Sequence, residues 1–160
     1  MIDRYILLAE DNPNDAELTI AALKESQMVS PIVRVADGAE ALDFLYRRGA
    51  YAARSEGPPA LILLDLKMPK VDGLEVLTTI KKDPDLHVIP VVMLTSSREE
   101  ADLTRSYKRG ANAYVVKPVD FDEFMRAVRD IGLFWGLVNE PSPLPRKTPG
   151  SGFPGAVPEV

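Results

Sequence analysis

The 160-residue sequence has no cysteine. Disulfides and thiolate metal sites are therefore excluded, and a reducing, cytoplasmic setting is expected. It has no apolar run near the 18 residues that a membrane span requires, so no membrane anchorage is expected. Met1-Ile-Asp-Arg-Tyr5 leads straight into an apolar strand, and no secretion leader is visible. There is no excess of positive charge. The net charge of −5 argues against general nucleic-acid binding. After Val138 nothing is long enough for a DNA-binding domain, so any effect on transcription has to pass through a partner.

What is present is ordinary for a globular protein. Hydrophobic residues make up 46% and charged residues 27%. The length suits one domain with a full core, expected over residues 1–140. Residues 141–160 differ. Pro at 141, 143, 145, 149, 154 and 158 and Gly at 150, 152 and 155 predict a flexible tail, read as a plain spacer.

Short apolar runs alternate with helical patterns. Tyr5–Ala9 is the first predicted strand, followed by the turn Asn12-Pro13-Asn14. Asn14 with Glu17 reads as the start of a helix bearing Ala16, Ile20 and Leu23 on one face. Pro31–Ala36 is the second strand, and Asp37-Gly38 opens a helix with Ala41, Leu42 and Leu45. Gly49–Pro59 is a loop, and Ala60–Leu64 is the third strand. A helix from about Leu74 carries Val76, Leu77 and Ile80 and stops at Asp83-Pro84. The segment His87–Leu94 holds the fourth strand. A helix over 99–109 ends at Gly110, Ala113–Val116 is the fifth strand, and a last helix runs from Phe121 to Leu137. Five strand–helix alternations predict an α/β fold: a parallel sheet with helices on both faces.

Four strand ends carry polar residues: Glu10-Asp11, Asp65, Thr95 and Lys117. Asp65 is the most telling, because Leu61-Ile-Leu-Leu64 runs straight into it and Pro69 and Gly73 follow. In a parallel sheet these ends share one edge, where ligands bind. Each residue alone has an ordinary explanation as a cap, a strand end or a solvated loop residue. Together they describe a chemistry. Crowded carboxylates need a cation, and an all-oxygen set suits Mg²⁺. Lys117 is a point charge for a phosphate or carboxylate, and Thr95 offers a hydroxyl. The set amounts to a carboxylate nucleophile, a metal and two ligands for phosphoryl oxygens.

With these motifs the chain resembles the response-regulator receiver domains of two-component signalling over about residues 4–135. The acid pair after strand one, LLDLKMPKVDG around Asp65, Thr95 after strand four and Lys117-Pro118 after strand five carry the resemblance. Thr95 lies 30 residues after Asp65, and Lys117 lies 22 after Thr95. The resemblance implies a five-stranded flavodoxin-like sheet in the order 2-1-3-4-5. It implies that Asp65 is the phosphoacceptor. Asp11, Asp65 and the backbone carbonyl of Lys67 would ligate Mg²⁺, with Glu10 acting through bound water. Thr95 and Lys117 would hold the phosphoryl oxygens, Tyr114 would be the switch aromatic, and Lys117-Pro118 would be cis.

The long Gly49–Pro59 loop and the extended run Gly132–Asn139 look like the single-domain regulators paired with bacterial and cyanobacterial phytochromes. The only histidine, His87, falls in a loop with an expected structural role, so the phosphoryl donor is expected to be a histidine kinase. The last helix has a core stripe at Phe124, Val128, Ile131 and Trp135 that leaves Leu133, Phe134 and Leu137 pointing elsewhere. A homodimer through the fourth helix, fifth strand and fifth helix is expected to bury them, although the loop or tail folding over them is the plainer alternative. The downstream protein target is unknown. Two other readings compete. A receiver that binds partners without phosphorylation usually lacks part of the acid set. A haloacid-dehalogenase-type phosphatase wants a second Asp two residues after the nucleophile, where this chain has Lys67.

Overall fold

The fold is seen in a computed structural model, which describes residues 4–25, 30–96 and 108–130. The strands are β1 (Ile6–Ala9), β2 (Ile32–Val35), β3 (Leu61–Asp65), β4 (Val91–Thr95) and β5 (Ala113–Val116). The described helices are α1 (Pro13–Glu25), α2 (Gly38–Tyr46), α3 (Gly73–Lys82) and a C-terminal helix (Phe121–Asp130), with a short 3-10 turn at Gly49–Tyr51. All pairings are parallel and the strand order is β2-β1-β3-β4-β5. This is the expected doubly wound sheet.

Alternation along the strands divides the core into two layers, because successive side chains point to opposite faces. Leu7, Ala9, Ile62, Leu64, Val91 and Met93 face α2 and α3. Ile6, Leu8, Leu61, Leu63, Val92 and Leu94 face α1 and the C-terminal helix. The central strands β1, β3 and β4 are buried throughout, as continuous apolar runs demand.

Helix starts follow capping chemistry. The Asp37 carboxylate accepts from Glu40 N at 2.8 Å, and the Asp72 carboxylate accepts from Glu75 N at 2.9 Å. Helix α1 corrects the sequence expectation. Asn12, not Asn14, is the cap, since its side chain accepts from Asp15 N at 3.0 Å. Pro13 is then the first helical residue, where its missing N–H is no loss. Strand β4 begins only at Val91, because residues 83–89 form turns in which Asp83 accepts from Asp85 N and Leu86 N. The 99–109 helix, apart from Lys108 and Arg109, and the tail 141–160 lie outside the described residues, as do Leu133, Phe134 and Leu137.

The Gly49–Pro59 segment is more structured than a loop of small residues suggests. Arg54 donates to the Phe44 carbonyl at 3.1 Å and to the Tyr5 hydroxyl at 2.9 Å, with its guanidinium 4.0 Å from the Phe44 ring centre. The Tyr5 hydroxyl donates to the Gly57 carbonyl at 2.6 Å, and the Tyr51 hydroxyl bonds the Glu40 carboxylate. The Arg54 and Tyr5 contacts lie at the start of β1 and the end of α2, at the opposite end of the sheet from Asp65, whereas Tyr51 reaches the Glu40 carboxylate, which also accepts from Ala36 N just past the carboxyl end of β2.

Candidate functional site

The carboxyl ends of β1, β3, β4 and β5 meet at one edge. Ladder bonds continue past the strands there: Glu10 N donates to Val35 O at 3.1 Å, Leu66 N to Leu94 O at 2.9 Å and Lys117 N to Thr95 O at 2.7 Å. The backbone thus fixes where Glu10, Asp65, Thr95 and Lys117 emerge. The Lys117-Pro118 bond is cis, as expected.

Glu10, Asp11 and Asp65 each offer a carboxylate oxygen, and these oxygens lie within 4.8 Å of one another. Glu10 is fully buried, Asp65 is 4% exposed and Asp11 faces solvent. At that separation two carboxylates repel by ~3 kcal/mol at an effective dielectric of ~20. The Lys117 ammonium is 3.0 Å from Glu10 Oε1, 3.3 Å from Asp65 Oδ1 and 3.0 Å from Asp15 Oδ2. One ammonium is thus shared among three carboxylates, while Asp11 is a fourth acid in the cluster. Burial, then the Glu10 charge, push the Asp65 pKa from 3.8 up to about 7 against the pull of Lys117. Burial works to lower the Lys117 pKa, but its hydrogen bonds to Asp15 and Glu10 and the Asp65 charge hold it above the ordinary value. Hard oxygen donors with a residual negative charge fit a hard divalent cation such as Mg²⁺.

Thr95 is buried one residue beyond Leu94, the register partner of Asp65. Tyr114 is half-buried on β5 opposite Met93. Lys67 lies exposed in the segment after β3, and His87 is exposed as expected. That segment is tightly built. Lys70 has a φ of 69°, and Val71 N donates to Pro69 O at 2.8 Å, which closes a strained γ-turn. Gly73 is required there: a Cβ would lie 2.1 Å from the Asp65 carbonyl oxygen. Gly38 has the same constraint, with Val71 O 1.8 Å from where its Cβ would be.

Sequence reasoning passed over two residues at this edge. Asp15 reaches Lys117 from the first turn of α1. Arg34 of β2 donates from Nε and Nη2 to the Glu10 carbonyl at 3.1 and 2.8 Å, which satisfies the last carbonyl before the acid pair turns away.

The response regulator receiver domain family matches residues 6–129. The chain is a receiver domain. It is 59% identical to the bacteriophytochrome response regulator AtBRR, with a TM-score of 0.78, covering 86% of this chain and 98% of that one. The response regulator Rcp1 of Synechocystis sp. is 41% identical over 132 residues, 82% of this receiver and 88% of Rcp1. Rcp1 is also similar in its Mn²⁺-bound crystal form, with a TM-score of 0.68 over 82% of this chain and 94% of that one. The phosphorylated cyanobacterial phytochrome response regulator RcpA is 43% identical, with a TM-score of 0.68 over 82% of this chain and 93% of that one. This receiver is therefore a relative of single-domain phytochrome response regulators, and receiver domains are signalling proteins that work with histidine kinases. Among the described residues no helix is long and apolar enough to cross a membrane.

Proposed function

We propose that this receiver accepts a phosphoryl group on Asp65 from the phosphohistidine of a partner kinase. The observation that carries the proposal is the buried Asp65 carboxylate, clustered with Glu10 and Asp11 and 3.3 Å from the Lys117 ammonium. An Asp65 carboxylate oxygen attacks phosphorus, the P–N bond to the kinase imidazole breaks, and an acyl phosphate forms. The leaving imidazole keeps the bonding pair and takes a proton from solvent. Asp11, Asp65 and the Lys67 carbonyl would hold Mg²⁺, with Glu10 acting through bound water. The ion would supply neutralisation of the carboxylates and of the charge on the transferring group. Lys117 and the Thr95 hydroxyl bind the phosphoryl oxygens. The protein's own catalysis is confined to phosphorylating and dephosphorylating itself.

The signal is a population shift. Thr95 moves toward the phosphoryl group, Tyr114 turns inward, and the face around β5 changes its partner preference. Output runs through a homodimer in which Leu133, Phe134 and Leu137 are buried, and through a separate downstream protein rather than through nucleic acid. The protein works in the cytoplasm, as residues 1–140 with a 141–160 spacer. The 59% identity to a bacteriophytochrome response regulator supports a phytochrome as the kinase. Incubation with a bacteriophytochrome kinase and γ-labelled ATP tests the proposal. Label is expected on wild type, in Mg²⁺ only, and none on Asp65→Asn. Equal labelling of that variant, or full transfer in excess EDTA, would refute it. Label taken only from a kinase without a chromophore would refute the phytochrome pairing alone.

A further inference from the structure

The Lys117 ammonium donates to Glu10 Oε1 and Asp15 Oδ2 and is ion-paired with Asp65 Oδ1. An ammonium has three N–H donors, and carboxylate oxygens of Glu10, Asp15 and Asp65 stand 3.0, 3.0 and 3.3 Å from Nζ. A phosphoryl group on Asp65 competes with these carboxylates for the ammonium. The three partners differ in what their release entails. Asp65 carries the incoming group. The Glu10 side chain is 0% exposed, and freeing it would strand a buried charge. The Asp15 side chain is 39% exposed, and water replaces the ammonium readily at such a group. Asp15 also has independent support where it stands, since its backbone N–H is capped by Asn12 and its carboxylate lies in the first turn of α1.

We propose that Asp15 is a positioning residue: an exchangeable third anchor of Lys117 that competes with the phosphoryl group for the ammonium and so lowers the affinity of the site for an acyl-phosphate group. The inference rests on the role proposed above for Asp65 and Lys117. In the resting protein Asp15 holds the ammonium toward α1. When a phosphoryl oxygen arrives, Lys117 exchanges Asp15 for it, keeps Glu10, and Asp15 turns to water. The same contact explains why one lysine can hold its place before any phosphoryl group is present.

Beryllofluoride, which binds an aspartate carboxylate in place of a phosphoryl group and needs no kinase, is the probe, titrated by fluorine NMR into the full chain with saturating Mg²⁺. Asp15→Asn is expected to bind it about 3- to 10-fold more tightly than wild type, the effect of one competing charge-assisted hydrogen bond. Asp15→Glu restores a carboxylate and is expected to stay within about twofold of wild type. Glu17→Gln, which removes an exposed charge from the same helix, is expected to change nothing. Unchanged or weaker binding by Asp15→Asn would overturn the inference, as would an equal gain in Glu17→Gln, which would mark a general charge effect. Lys117→Ala separates the two levels of argument. Binding as tight as wild type in that variant would refute Lys117 as a phosphoryl ligand, and the inference with it.

Discussion

Replacing Asp65 by asparagine should stabilise the metal-free protein, and the gain should have a particular dependence on pH. The Asp65 carboxyl titrates at 3.8 in an unfolded chain and at about 7 in the fold, raised by burial and by Glu10. The fold therefore binds a proton on Asp65 more tightly than the unfolded chain does. A raised pKa contributes stability that is full below pH 3.8 and is lost as pH climbs to about 7. At ~1.4 kcal/mol for each tenfold change in proton affinity, the ionised carboxylate costs the fold up to ~4 kcal/mol above neutrality. Asparagine carries no charge to desolvate and keeps a polar group beside Lys117, so most of that cost should vanish. Urea unfolding in EDTA checks this. Asp65→Asn is expected to exceed wild type by ~2–4 kcal/mol at pH 8, with the gap shrinking by ~1.4 kcal/mol per pH unit on acidification and closing near pH 4. In Mg²⁺ at 100 times its Kd the wild type should recover ~2.7 kcal/mol. A gap that is absent at pH 8, or equal at pH 5 and pH 8, would refute the electrostatic account of the site.

The affinity for Mg²⁺ should rise about tenfold per pH unit below pH 7 and level off above it, because an ionised ligand is required and Asp65 ionises only near there; calorimetric titrations from pH 5.5 to 8 that show no slope would contradict this. Gly73→Ala should destabilise the fold by ~1–3 kcal/mol and slow phosphoryl transfer, because the added Cβ would press on the Asp65 carbonyl; a variant with unchanged urea midpoint and transfer rate would remove the close-approach argument. Phe134→Asp should yield monomers that still accept phosphate, so an unchanged mass in light scattering would reject the proposed dimer.

What was legible in the sequence was what repeats locally. Apolar runs such as Leu61–Leu64 mark buried strands, and the polar residue that ends each run lands on the shared edge. The strand order came with the family resemblance and matches the sheet. What was not legible depends on distant partners. Asp15 looked like one more acid in a helix because Lys117 lies 102 residues away. The 49–59 segment read as a plain loop because its order comes from Arg54 reaching Tyr5, 49 residues back. The misplaced cap at α1 had a local cause: Asn12 and Asn14 flank Pro13, and proline at the first helical position decides between them.

The Arg54 clamp has a practical consequence. It ties the 49–59 segment to the amino-terminal pole of the sheet, while the acids and Lys117 occupy the carboxyl-terminal pole. Ala52 and Ala53, exposed at the tip between the Tyr51 and Arg54 anchors, are thus a natural graft point. A fluorophore attached there would sit beside the Arg54 clamp rather than beside the acids and Lys117.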